Sequence, residues 1–264
     1  MKNIIKITLF FITTFIFSLS LAFGETPEEK GLRLAIEADL TGEGFIDTVS
    51  TSQMTLRNAQ GEESIREFSS KTLEVENDGD KSIFIFHHPK DVKGTATLTF
   101  THKTGPDDQW LYLPALKRVK RIASKNKSGP FLGSEFSFED FSFQEVEKYK
   151  YLFLREENYL NKPCFVVERI PLDPYSGYTK QIVWIDKKNY LVQKIHHYDR
   201  KFFHLKTQLF KDYRIYEGFF WQPHEIEMIN HQNGKKSVLY FDEVKIKNGF
   251  TERDFSQNSL KRSR

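Results

Sequence analysis

Thr95-Ala96-Thr97-Leu98-Thr99-Phe100 alternates hydroxyl and apolar side chains without a break. Successive side chains of a strand point to opposite faces, so this is the pattern of a half-buried β-strand. The same period recurs in Phe203, Leu205, Thr207 and Leu209, which alternate with His204, Lys206 and Gln208. Val238, Tyr240, Val244 and Ile246 share a parity that Asp242 interrupts. Turn chemistry separates the strands at Asn58-Ala59-Gln60-Gly61, Asn77-Asp78-Gly79-Asp80, Asp173-Pro174-Tyr175-Ser176-Gly177 and Asn233-Gly234. About ten to twelve strands are expected on this criterion. No stretch supports alternating βα units, so the sheet is expected to be antiparallel.

Three runs are apolar on both parities: Ile83-Phe84-Ile85-Phe86, Tyr151-Leu152-Phe153-Leu154 and Ile182-Val183-Trp184-Ile185. A sheet curved round an apolar interior and covered outside needs such runs, and so does the centre of a two-sheet sandwich. One early helix is signalled. Thr26 suits the N-cap, Pro27 the first turn, and Glu28 and Glu29 complement the helix dipole. Leu32, Ala35, Ile36 and Leu40 then recur at helical spacing before Gly42 and Gly44.

The first residues give an address. Lys2 and Lys6 precede an apolar run from Leu9 to Leu21, followed by Ala22-Phe23-Gly24, the order of a cleavable secretory signal over residues 1–24. A single β domain is then expected over 25–264, working outside the cytoplasm. Without Lys2 and Lys6 the formal charge falls from +3 to +1, so no global field draws the chain to nucleic acid. The chain carries 25 Phe and 11 Tyr but 1 Cys, so its core is aromatic and no internal disulfide can form.

The densest signal is Trp110-Leu111-Tyr112-Leu113-Pro114-Ala115, then Arg118-Val119-Lys120-Arg121-Ile122, then Gly133-Ser134-Glu135-Phe136-Ser137-Phe138-Glu139-Asp140. In these three pieces the chain resembles the LolA/LolB-like superfamily of periplasmic lipoprotein carriers. It is most similar to the branch of outer-membrane lipoprotein-sorting proteins found beside RND-type exporters. Weaker likenesses lie at Gly44-Phe45-Ile46-Asp47, Trp184-Ile185-Asp186 and Gly218-Phe219-Phe220-Trp221-Gln222-Pro223. The resemblance implies a half-open antiparallel β-barrel with a few helices lidding an apolar cavity. It also implies lipoprotein acyl chains or another lipid as cargo, and an RND-type exporter as a partner.

His87-His88 and His196-His197 diverge on a strand and lack metal-ligand spacing. No nucleophile motif or phosphate loop occurs, and Cys164 in its apolar setting reads as a small buried hydrophobe. No catalytic residue, metal or cofactor is therefore expected; a hydrolase would need carboxylates or histidines converging in a cleft. Burying acyl methylenes at about 0.8 kcal/mol each requires only apolar area. The expected cavity wall is Phe84, Phe86, Phe100, Trp110, Tyr112, Leu113 and Trp184. The expected charged rim is Arg118, Lys120 and Arg121 beside Glu139 or Asp140. A carrier is the leading reading; a periplasmic adaptor that docks an exporter without holding lipid is the alternative.

Overall fold

The computed structural model describes residues 24–142 and 144–262, so the expected signal segment up to residue 23 lies outside the described residues. One antiparallel sheet of thirteen strands organises the chain. The first run is β1 (Asp47–Arg57), β2 (Glu63–Leu73), β3 (Lys81–His88), β4 (Ala96–Phe100), β5 (Asp108–Leu113) and β6 (Arg118–Ile122). The second is β7 (Tyr149–Tyr159), β8 (Lys162–Pro171), β9 (Lys180–Asp186), β10 (Val192–Tyr198), β11 (His204–Tyr216), β12 (Phe220–Asn230) and β13 (Lys236–Ile246). Each run is a meander, and β1 pairs with β13 to join them. Consecutive strands β6 and β7 thus lie at opposite ends of an unclosed sheet, the half-open barrel expected. The count exceeds the expected twelve by one strand, because period-2 counting does not divide apolar runs at their turns. The turn at Asn58–Gly61 joins β1 to β2, and those at Asn77, Asp173 and Asn233 fall between their flanking strands.

Parity alone does not say which face is inside. In β4, Ala96 and Leu98 pack outward beneath the C-terminal helix α2 (Gln257–Arg262), with Leu73, Ile83, Tyr112, Phe255 and Leu260. Thr97 and Thr99 point inward, where Gln109 Nε2 reaches Thr99 Oγ1 at 3.4 Å. The strand expected to be half-buried is covered on both faces. At β13, register shifts opposite Thr51 and Ser52, so Asp242 bulges and Leu239, Phe241 and Val244 face inward on changed parity.

Residues 123–148 connect β6 to β7 and must cross the concave face. Phe131 and Phe136 are buried there against Met54, Phe68, Phe86, Met228 and Leu239, with Phe138 and Phe141 beside them. Phe131 and Phe141 rings lie 3.9 Å apart between centroids, and Phe141 meets Phe84 edge-on at 5.2 Å. This aromatic plug fills part of the barrel and leaves the remainder open.

Helix α1 (Pro27–Asp39) lies over that remainder, and its N-terminus has the expected cap: Thr26 Oγ1 accepts from Glu29 N while Glu29 Oε2 accepts from Thr26 N. Its packing face differs from the expected stripe. Gly31 and Leu34 are buried and Ala35 and Ala38 pack beside them, whereas Leu32, Ile36 and Leu40 are 43%, 42% and 54% exposed. The small residues win because the helix sits directly on the β7 backbone. A Cβ at Gly31 would lie 2.8 Å from Phe153 N and 2.9 Å from Leu152 N. Gly31→Val should therefore displace α1, at a cost of about 1–3 kcal/mol for overpacking. A lowered melting temperature together with increased uptake of an environment-sensitive apolar dye is the expected result.

Asp47, fully buried, ties the chain's two ends together. Its Oδ1 accepts from Asn248 N at 2.7 Å and Asn248 Nδ2 at 2.8 Å; Oδ2 accepts from Gly249 N at 2.8 Å and Phe250 N at 3.1 Å. Burial raises its pKa, but these donors outweigh that and hold it below the usual carboxylate range. Asp47→Ala removes the shared acceptor of four hydrogen bonds and should cost about 1–3 kcal/mol. Early proteolysis after residue 247 would accompany the lower melting temperature.

Candidate functional site

The space between α1, the plug and the sheet is a cavity of about 970 Å³. Its apolar lining comes from Ala35 and Ala38 of the helix, Val167, Val183, Ile185, Val192, Ile195 and Phe210 of the second meander, and Ile226, Leu239 and Phe241 further round. These are inward-facing positions on strands β8 to β13, and Phe84, Phe136 and Phe141 bound the space on the plug side.

Of the residues expected to form the wall, Phe84 lines the cavity. Phe86 is fully buried within the plug contacts. Phe100 and Trp110 meet edge-on at 5.2 Å on the outer face near α2, and Tyr112 is buried there with them. Leu113 is half-buried at the end of β5 and does not line the cavity. Trp184 faces outward with Cys164, Val166 and Ile182, its Nε1 donating to Glu157 Oε1 at 2.8 Å. On β9 the larger aromatic Trp184 went to the outer face and its neighbours Val183 and Ile185 went in, whereas on β3 Phe84 and Phe86 face inward and Ile83 and Ile85 outward.

The expected charged rim also separates. Arg118, Lys120 and Arg121 are exposed on edge strand β6, and Arg121 pairs with Asp108. Glu139 is buried against the 173–178 turn, accepting from Ser176 Oγ at 2.9 Å and Gly177 N at 2.8 Å. Burial first, and then neighbouring Asp140, raise its pKa. Asp140 caps its own turn through Ser137 N and Oγ, both at 2.7 Å, and accepts from Tyr178 OH at 2.9 Å. The connection carries these carboxylates across the barrel to the 173–178 turn, away from the basic strand where it began. Gly177 is required there, since a Cβ would meet Glu139 Oε1 at 2.7 Å.

The rim that the structure does form is acidic. Asp39, Glu43, Glu74, Glu76, Asp78, Asp80 and Glu145 border the cavity, with Lys103 among them. Carboxylates thus converge, as a hydrolase would need, and several of them hold neighbouring loops. Glu74 accepts from Gly44 N and Ile46 N, Asp80 from Val75 N, and Glu145 from Thr101 Oγ1. Among the described residues no group of three or more His, Cys, Asp or Glu side chains is arranged to hold a metal ion. His196 and His197 diverge: His196 stacks outside between Trp184 and His204, while His197 points into the cavity wall.

Burial, together with Glu145, Glu74 and Asp39, pushes Asp80 up to about 7. Asp39 is pushed the same way, but it is an exposed residue that water screens, so Asp80 carries more of the pH dependence. Folded Asp80 keeps its proton up to about pH 7, whereas the unfolded chain releases it near 3.8. Its contribution to stability is full below the lower value and is lost as pH rises through the higher. Half-buried His196 and buried His197, held low at about 4 and about 3, act in the opposite sense as pH falls below 6.5. Parent and Asp80→Asn should accordingly be compared at each pH. The advantage of the variant in melting temperature should grow between pH 4 and 7 and level off above.

Comparison with known proteins places this architecture. A family model described as an uncharacterized protein family matches residues 78–262. No curated protein matches. A crystal structure from Vibrio parahaemolyticus, described as an outer membrane lipoprotein-sorting protein domain, is similar at 50% identity and a TM-score of 0.87, over 89% of this chain and 99% of that one. A DUF1329 family protein from Desulfovibrio piger is 26% identical with a TM-score of 0.84, over 89% and 99%. A LolA superfamily protein from Nitrosomonas europaea shares the fold at 19% identity and a TM-score of 0.70, over 87% and 98%. The open sheet and lidded cavity have the fold of the LolA superfamily protein, and the chain belongs to the same family as the Vibrio domain, with which it shares half of the aligned residues.

Proposed function

We propose that the protein is a non-catalytic periplasmic carrier that takes acyl chains of lipoproteins, or of another lipid, into the cavity beneath α1. On this reading residues 1–24 are the cleaved export signal and 25–264 the carrier domain. The observation that carries it is the cavity, about 970 Å³ and walled largely by aliphatic and aromatic side chains. Small-molecule sites occupy a few hundred to about 1,000 Å³, so the space is large enough for a ligand and requires no opening of the sheet. The Vibrio relative's description as a lipoprotein-sorting domain supports the same assignment. An adaptor that docked an RND-type exporter without cargo would need no internal space, and the cavity favours the carrier over it. Delivery to or from such an exporter is compatible with carriage and forms the later step of the same proposal.

Native mass spectrometry of the exported protein, followed by organic extraction, is the direct test. Co-purifying lipid or acylated protein, displaceable by a fluorescent fatty acid, is the expected outcome. Protein free of lipid that also fails to bind the fluorescent acid would remove the carrier reading.

A further inference from the structure

Four inward-facing polar side chains cross the cavity wall in a row: Arg169 on β8, Gln181 on β9, His197 on β10 and Gln208 on β11. Register brings them together, with Arg169 opposite Gln181, Gln181 opposite His197, and Gln208 diagonal to His197 through its partner Ile195. Arg169 Nε donates to Gln181 Oε1 at 2.5 Å. Gln181 Nε2 lies 2.9 Å from His197 Nδ1, and His197 Nε2 lies 3.1 Å from Gln208 Oε1.

The chemistry of the first member fixes the direction of the whole row. A guanidinium has donors and no acceptor, so Gln181 must turn its oxygen to Arg169 and its NH₂ to the imidazole. His197 Nδ1 must then accept and Nε2 carry the hydrogen, which requires a neutral ring. Burial supplies that, pushing His197 down to about 3. Gln208 in turn accepts on its oxygen, leaving its NH₂ group at the far end. Both ends of the row therefore terminate in N–H donors, and Arg169, His197 and Gln208 all line the cavity.

Among the described residues no acceptor is hydrogen-bonded to the guanidinium Nη groups of Arg169 or to Gln208 Nε2. Among the described residues no carboxylate lies within ion-pair distance of Arg169, whose guanidinium rests over the Tyr149 ring at 4.8 Å. Asp140, the carboxylate on the neighbouring wall, is occupied by Ser137 N, Ser137 Oγ and Tyr178 OH, with Lys206 Nζ at 4.0 Å. The spare hydrogen-bonding capacity of this wall is donor capacity. The rim, by contrast, is lined chiefly by carboxylates, which offer an anionic group at the mouth no comparable set of donors.

We infer that Arg169 and Gln208 form a subsite for the acceptor-bearing end of an acyl ligand, its carboxylate or ester oxygens, while the hydrocarbon lies against Val183, Ile185, Ile195 and Phe210. This rests on the carrier reading and adds to it the orientation and head chemistry of the ligand. The test uses three competitors of one chain length against a fluorescent acyl probe: hexadecanoic acid, its methyl ester and hexadecylamine. Acid and ester should bind about tenfold or more tightly than the amine, since a charge-assisted bond is worth roughly a decade in affinity. Arg169→Met should abolish the preference for the acid over the amine. Gln208→Leu, at the other end of the row and free of any charge change, should weaken the ester in particular while leaving the amine as it was. An acid-to-amine ratio near one in the parent protein, or one unchanged in both variants, overturns the subsite and leaves the carrier standing. Failure of all three ligands to bind removes the carrier reading and the subsite together.

Discussion

Everything inside this molecule follows from one connection. Strands β6 and β7 are consecutive in the chain yet end the sheet on opposite sides, so residues 123–148 have to traverse the concave face. A crossing segment cannot bring a second sheet with it, and it must bury its own backbone without a ladder. It does so with local turns: Phe131 N donates to Phe136 O at 2.7 Å, Glu139 N to Lys127 O at 2.9 Å, and Asp140 closes a capped turn at Ser137. Its phenylalanines supply the apolar volume that a facing sheet would otherwise provide. The cavity is what remains beyond the reach of those rings.

Strand identity was legible because period 2 is written into the chain; the inner face was not. Alternation at Thr95–Phe100 shows a strand equally well whether the threonines or the apolar residues look inward. Here the hydroxyls do, because α2 is there to cover Ala96 and Leu98. The same inversion holds on β11, where Gln208 and Phe210 face the cavity. It also decided between Val183 and Trp184. Register against neighbouring strands, set by bulges such as the one at Asp242, resolves such choices, and no local window contains it.

The candidate site was legible only in kind. An apolar interior under a capped helix could be expected, and the cap at Thr26 and Glu29 is present. The row from Arg169 to Gln208 draws one residue from each of four strands, so no motif marks it. His197 could have been found from its neighbour: successive strand residues diverge, so one histidine of the pair had to look inward. The acidic rim escaped for the same reason, its members coming from the end of α1, the 74–80 turn and residue 145. The pairing of the basic strand with Glu139 or Asp140 failed because closeness in sequence was set aside by a connection that spans the barrel.

An unclosed sheet has two bare borders, and the molecule treats them differently. At β7 the lid helix leans on the strand's own backbone at Gly31. At β6, paired only with β5, exposed Arg118, Lys120 and Arg121 occupy the border itself. If two copies met along this strand, its lysine and arginine side chains would be crowded together, a pairing that like charges oppose. The basic cluster thus disfavours extension of the sheet from one molecule into the next, so that the border of an unclosed barrel is guarded by charge where no helix covers it.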